Sequence, residues 1–132
     1  MLNQRRTIQK TLIIAAVKKL EHPTADEVYR SVEKKHPHIS KGTVYRNLKA
    51  MVDEGRIRKI RLMDGPDNFD HIVYCHYHFI CRKCKGIYDV GVPYQEELNI
   101  KVASRDGFLV EEHEIVFTGV CPKCNEANDK KE

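Results

Sequence analysis

The chain has 132 residues, 41% of them hydrophobic and 32% charged, with a net charge of +4. That length suits one ordinary domain or two small ones, and two halves of about 65 residues would each bury too little apolar surface to fold without a staple. No run of 18 apolar residues occurs, so no helical membrane span is expected. The apolar stretch at residues 12–17 gives way too soon to charge for a secretory leader. The expectation is a cytoplasmic protein whose cysteines are reduced or metal-bound.

The charge is unevenly placed. Residues 1–62 hold 15 Lys/Arg against 6 Asp/Glu, a net of +9, whereas residues 63–132 hold 8 against 13, a net of −5. A basic half beside an acidic one suits contact of the first with a polyanion. A solvated charged face is the plainer alternative.

Ile8, Leu12, Ile13, Ala16, Val17 and Leu20 recur at the spacing of an amphipathic helix, and His22-Pro23 stops it. Thr24 with Glu27 forms a capping box for a second helix, with Val28 and Val32 as its inner face and His36-Pro37-His38 at its end. Ser40 caps a third helix whose apolar stripe is Val44, Leu48, Met51 and Val52, and Gly55 closes it in the left-handed region. The basic, β-branched run at residues 56–62 predicts a strand. Asp64-Gly65-Pro66 predicts a turn, and residues 69–74 the returning strand. Three helices and a basic hairpin make a winged helix-turn-helix over residues 1–70. Its third helix would present Thr43, Tyr45, Arg46 and Lys49 to the major groove, with Arg58 and Arg61 among the residues along phosphates or the minor groove. The competing reading is a helical hairpin for protein contact, with Tyr45 packed in a helix interface.

Residues 71–132 predict a small α/β domain. Cys81-x-x-Cys84 and Cys121-x-x-Cys124 are two chelating knuckles separated by 36 residues. Four thiolates suit a closed, structural Zn(II) site, worth on the order of 10 kcal/mol to so small a core. A thioredoxin-type motif needs only one pair, and the zinc deaminases need a His-x-Glu unit that is missing here. Between the knuckles there is room for a strand at residues 87–90, a helix at about 94–104, and strands at 108–110 and 115–117. His76 and His78, two apart in a predicted strand, share a face. With Asp70, Asp89 and His22 they make a mixed nitrogen–oxygen donor set suited to Fe(II), Mn(II) or Zn(II). Each of these five has an ordinary alternative, as a hydrogen-bonded histidine or a turn aspartate. A metallohydrolase built on His76 and His78 would need an open coordination position and a cleft, and would leave the basic half unexplained.

These residues carry a resemblance. His22-Pro23-Thr24-Ala25-Asp26-Glu27, Thr43-Val44-Tyr45-Arg46-Asn47-Leu48, His76-Tyr77-His78-x-x-Cys81-x-x-Cys84 and Gly119-Val120-Cys121-x-x-Cys124 resemble the ferric uptake regulator family from about Arg5 to Cys124. Aspartates at 70 and 89 resemble its peroxide-sensing branch. The resemblance implies an α+β protein: a winged-helix domain plus an α/β dimerisation domain, binding palindromic operator DNA as a homodimer. It also implies a structural zinc on Cys81, Cys84, Cys121 and Cys124, and a regulatory Fe(II) or Mn(II) on His22, Asp70, His76, His78 and Asp89. The implied function is a metal-dependent repressor, not an enzyme, in which iron-catalysed oxidation of His22 or His76 reports peroxide; sensing of iron or zinc supply without redox chemistry is the alternative. Three departures stand out. The chain starts late relative to the family's first helix. The entry Arg5-Arg6-Thr7-Ile8-Gln9-Lys10 lacks the common proline. A further metal site of some members falls on Cys75, Tyr77, Glu96 and His113, where a tyrosine is a poor ligand.

Overall fold

The computed structural model describes residues 2–61 and 65–129, with side chains for 7–61 and 65–126. The chain folds as two compact units, Met1–Val73 and Tyr74–Glu132.

The N-terminal unit contains α1 (Leu2–Leu20), α2 (Ala25–Lys35), α3 (Lys41–Asp53), β1 (Arg58–Ile60) and β2 (Asn68–Asp70). Local chemistry sets the helix boundaries. The Thr24 hydroxyl accepts from the Glu27 amide at 3.2 Å while the Glu27 carboxylate accepts from the Thr24 amide at 3.2 Å, the reciprocal capping box. Ser40 caps α3 through the Thr43 amide at 3.0 Å. Gly55, at φ 75°, ends α3 in a Schellman arrangement: the Gly55 amide bonds the Val52 carbonyl and the Arg56 amide the Met51 carbonyl. Ile13, Ala16, Val17, Val28, Val32, Ile39, Val44, Leu48, Met51, Ile57 and Phe69 form one buried cluster. Each large aliphatic among them contributes about 1.5–3 kcal/mol of burial. The predicted α1 stripe is too long, since Ile8 is 56% and Leu20 38% exposed; the face that meets α2 and α3 is the central Ile13-Ala16-Val17.

The hairpin differs from expectation. β1 and β2 pair antiparallel with Arg58 opposite Asp70 and Ile60 opposite Asn68. The second strand therefore begins before Phe69 and stops at Asp70 instead of running to Tyr74. Its end is an Asx turn in which Asp70 Oδ1 accepts the Ile72 amide at 2.9 Å. Leu62 and Asp64, assigned to the strand and the turn, lie outside the described residues; Gly65 of that turn has φ 85°.

The C-terminal unit contains β3 (Tyr77–Cys81), β4 (Ile87–Val90), α4 (Glu96–Asp106), β5 (Val116–Gly119) and α5 (Pro122–Asp129). The sheet order is β4-β3-β5, with β4 antiparallel and β5 parallel to β3. Helix α4 starts two residues later than expected and ends at Gly107, φ 77°. The strand expected at 108–110 is not formed: Phe108 and Leu109 are 63% and 92% exposed, and within the described chain no strand is paired with them. An apolar run becomes a strand only when a neighbour supplies the other half of its ladder. The second knuckle opens a helix, α5, that periodicity did not suggest. Among the described residues of this unit, only Tyr77, His78, Cys81, Asn99 and Cys121 are buried. Aromatic, polar and sulfur groups stand where aliphatic ones would in an ordinary core.

Thr24→Ala removes one half of the capping box and should lower unfolding free energy by about 1 kcal/mol, read as a shift in the urea midpoint. An unchanged midpoint would show that the cap carries no stability.

Candidate functional site

The register of the three-stranded sheet builds two donor clusters on its opposite faces. Tyr77, Phe79 and Cys81 point to one side of β3, and His78 and Ile80 to the other. Cys81 is opposite Gly119 in the parallel pair, which sets Cys121, two residues after Gly119, alongside the first knuckle. His78 is opposite Asp89 in the antiparallel pair.

On the sulfur face, Cys81, Cys84, Cys121 and Cys124 place their Sγ atoms within 4.8 Å of one another, with Cys84 and Cys121 at 3.9 Å. A tetrahedron of zinc–sulfur bonds has edges of about 3.8 Å, so the donor set fits that ion without rearrangement of the backbone. The first knuckle turns through Lys85, at φ 64°, and closes with Lys85 amide to Cys81 carbonyl at 2.9 Å and Cys81 amide to Gly86 carbonyl at 3.0 Å. Cys81 Sγ accepts the Cys121 and Cys84 amides, each at 3.4 Å. Those two N–H groups pull the Cys81 thiol down to about 6, Cys121 acting most strongly. Cys124, hydrogen-bonded to Cys121 and desolvated, is pushed up to about 12. Cys121 is lowered, chiefly by the Cys124 amide. Two lowered thiols, Cys81 and Cys121, with Cys84 and Cys124 beside them, describe a cluster arranged for a cation.

On the other face, His76 Nε2 lies 3.1 Å and His78 Nε2 3.5 Å from Asp89 Oδ1, and the two imidazoles are 4.4 Å apart at their centroids. His76 Nδ1 donates to the Tyr74 carbonyl at 2.9 Å, since a carbonyl only accepts, so Nε2, turned toward Asp89 Oδ1, is the nitrogen left for an ion. His76 sits one residue before β3, yet keeps the side of His78. In the N-terminal unit, His22 Nε2 lies 3.6 Å from Asp70 Oδ2, and both side chains are buried. Strand β2 brings them together. Its Asn68 amide group donates to the His22 carbonyl at 2.7 Å, and its Phe69 N–H donates to the Pro23 carbonyl at 2.8 Å. The link between α1 and α2 is thereby bound as a third short rung of the hairpin.

The predicted nucleic-acid residues are distributed unevenly. Tyr45, Arg46 and Lys49 are exposed on α3. Thr43 is drawn toward the cap, 2.7 Å from Ser40 Oγ, and also accepts Arg46 Nη2 at 3.3 Å. Arg61 is exposed, whereas Arg58 is half-buried and donates to the Val73 carbonyl at 3.3 Å.

Three features escaped sequence reasoning. Asp26 on α2 accepts from the Tyr45 hydroxyl and from Lys41 Nζ at 2.9 Å, so it fixes two basic-face side chains of α3. Those same two bonds, Tyr45 first, hold its carboxyl below the ordinary range. The second feature is the network around His113. Tyr94 accepts Asn99 Nδ2 at 2.9 Å, which turns Asn99 Oδ1 toward His113 Nδ1 at 2.6 Å and leaves His113 Nε2 to accept the Tyr77 hydroxyl at 2.7 Å. Both nitrogens of His113 are thus engaged where the resemblance allowed for a further metal. The third is Tyr88, whose hydroxyl lies beside Cys84 and Cys121. None has a sufficient local signal, because each depends on a partner 19 to 36 residues away in sequence.

A winged-helix unit joined to a small α/β unit, with one sulfur cluster and with imidazole and carboxylate donors in each unit, defines a class of metal-responsive regulators of transcription. Residues 1–118 match the Ferric uptake regulator family, and the chain belongs to it. It is 36% identical over 109 residues to the peroxide operon regulator of Bacillus subtilis, covering 83% of this chain and 75% of that one. It is also 36% identical over 123 residues to the peroxide-responsive repressor PerR of Staphylococcus epidermidis, covering 93% and 79%. The crystal structure of the Campylobacter jejuni peroxide stress regulator superposes with a TM-score of 0.76 at 28% identity over 92% of both chains. Named members of the family are regulators and repressors, not enzymes.

In metal-free protein, thiolate absorbance near 240 nm should show one cysteine per chain ionising near pH 6, lost in Cys81→Ser. Folded-state lowering from the ordinary 9.0 to about 6 means that this thiolate's stabilisation is present above 9 and is lost as pH falls through about 6. Absence of any thiolate step near pH 6, or its persistence in Cys81→Ser, would contradict the geometry.

Proposed function

We propose that the chain is a metal-dependent transcriptional repressor that senses peroxide, working as a homodimer on palindromic double-stranded DNA. The observation that carries this reading is the pairing of donors within each unit: His22 with Asp70 in one, His76 and His78 with Asp89 in the other. Two imidazoles and a carboxylate from the C-terminal unit, completed by an imidazole and a carboxylate from the N-terminal unit, would hold one Fe(II) or Mn(II). An ion with ligands in both units fixes the angle between them. In a symmetric dimer that angle sets the separation of the two α3 helices, which has to match the half-site spacing of an operator. Moving such an equilibrium from 1:99 to 99:1 takes about 5.5 kcal/mol of differential metal affinity, within the reach of five ligands.

The net +9 of residues 1–62 supports the DNA assignment, with Tyr45, Arg46, Lys49 and Thr43 toward bases and Arg58 and Arg61 toward the backbone. Dimerisation is supported by the thin core of the C-terminal unit and by its exposed Ile100, Phe108, Leu109 and Phe117, an apolar surface that a second copy would cover. Cys81, Cys84, Cys121 and Cys124 would hold a structural zinc that ties β3 to the start of α5. Peroxide sensing is supported by likeness to the three peroxide regulators above, and by Asp70 and Asp89 as the carboxylates. Bound Fe(II) would supply the electron that turns peroxide into an oxidant of the adjacent imidazoles. His22 and His76 each hold a ring against an aspartate, so a ring that gains oxygen would lose both its fit to that carboxylate and its place as a ligand.

Operator complexes loaded with Fe(II) should dissociate on addition of peroxide, with a gain of one oxygen on peptides holding His22 or His76, while complexes loaded with Mn(II) stay bound. Oxidation confined to cysteines, or equal release with both metals, would overturn peroxide sensing. Release by chelation with indifference to peroxide would point instead to sensing of metal supply.

A further inference from the structure

Strand β4 serves both faces of the sheet with adjacent residues. Asp89 faces the imidazoles, and Tyr88, one residue earlier, faces the sulfurs. The Tyr88 hydroxyl lies 3.4 Å from Cys84 Sγ and 3.7 Å from Cys121 Sγ, although the tyrosine as a whole is 41% exposed. Its place depends on Gly86. A Cβ at that position would stand 2.8 Å from the hydroxyl oxygen and 3.0 and 3.1 Å from two ring carbons. Gly86 is not in the left-handed region, so what calls for a glycine there is room for the phenol and not a backbone angle. Cys81 already receives two backbone N–H groups. Cys84 is the exposed cysteine of the four, and the phenol reaches it.

Resting on the zinc reading above, we infer that Tyr88 is a positioning residue of the zinc site, donating its O–H to the Cys84 and Cys121 thiolates and slowing loss of the ion from its exposed side. A thiolate bound to zinc is an acceptor only, so the phenol has to be the donor. A charge-assisted bond of this kind is stronger than a neutral one, and outer-shell partners of metal ligands typically govern 10- to 100-fold in affinity. Gly86 makes the contact possible by leaving space for it.

The test uses the full chain and Zn(II) itself in competition with a colorimetric chelator. Tyr88→Phe should weaken Zn(II) binding about tenfold with unchanged far-ultraviolet circular dichroism. Gly86→Ala, which keeps the phenol but crowds it off the sulfurs, should do the same, and the double variant should lose no more than either single one. In Co(II)-substituted protein, Tyr88→Phe should move the thiolate-to-cobalt charge-transfer band to lower energy, which a purely structural role for the ring would not do. Unchanged affinity and an unmoved band in Tyr88→Phe would overturn the inference, as would additive losses in the double variant. Wild-type protein that takes up no Zn(II) would instead overturn the zinc reading, and this inference with it.

Discussion

Along β3, successive side chains leave the strand in opposite directions, so Phe79 and Cys81 serve one face of the sheet while His78 serves the other. Two pairings convert that alternation into chemistry. The parallel pairing of Cys81 with Gly119 delivers the second cysteine knuckle, and the antiparallel pairing of His78 with Asp89 delivers a carboxylate. A slip of one residue would send every side chain to the wrong face and dismantle both clusters together. The register is therefore the constraint on which the C-terminal unit depends. It is secured by the Tyr77–His113–Asn99 network on the Cys81 face, which ties β3 to α4 and to the segment leading into β5.

The two units are held together internally by different physics. Eleven buried side chains, ten of them aliphatic or sulfur-containing and one aromatic, give the N-terminal unit an ordinary core. The C-terminal unit has no counterpart among its described residues, and its buried set is one tyrosine, one histidine, one asparagine and two cysteines. A unit so poor in apolar burial is one in which a bound ion contributes directly to folding. Under the function proposed here, zinc reinforces the sheet, and the sheet positions the regulatory donors of this unit.

Features set within four residues were legible in the sequence. Thr24 with Glu27, Ser40 with Thr43, Gly55 after Val52, and each Cys-x-x-Cys knuckle are short-range devices whose partners are fixed by helix or turn geometry. Strand β4 was placed correctly for the same reason, between a knuckle and a proline-bounded turn. Pairing across the sheet was not legible. Nothing in Val116–Gly119 announces that it runs parallel to β3, and nothing in Phe108-Leu109-Val110 announces that this apolar run finds no strand partner among the described residues. The end of β2 at Asp70 depends on a side chain turning back on Ile72, which competes with strand extension and wins. Asp26 reads as a helix-start carboxylate at its position in α2, and only the packing of α2 on α3 makes it the partner of Tyr45 and Lys41. The donor residues themselves were visible as types and spacings. Their grouping into His22 with Asp70, and His76 and His78 with Asp89, required the hairpin and the sheet.

The proposed coupling of metal to DNA rests on the two donor sets acting on one ion, and the most direct measurement is operator affinity as a function of Mn(II) for zinc-loaded His22→Ala and Asp89→Ala chains. These substitutions fall in different units and leave all four knuckle cysteines intact. The expected result is that both variants keep their zinc, bind nonspecific DNA like the parent, and fail to gain operator affinity as Mn(II) is added. If either variant gained affinity with Mn(II) as the parent does, the ion would not be joining the reader of DNA to the sheet, and the proposed gate would be wrong.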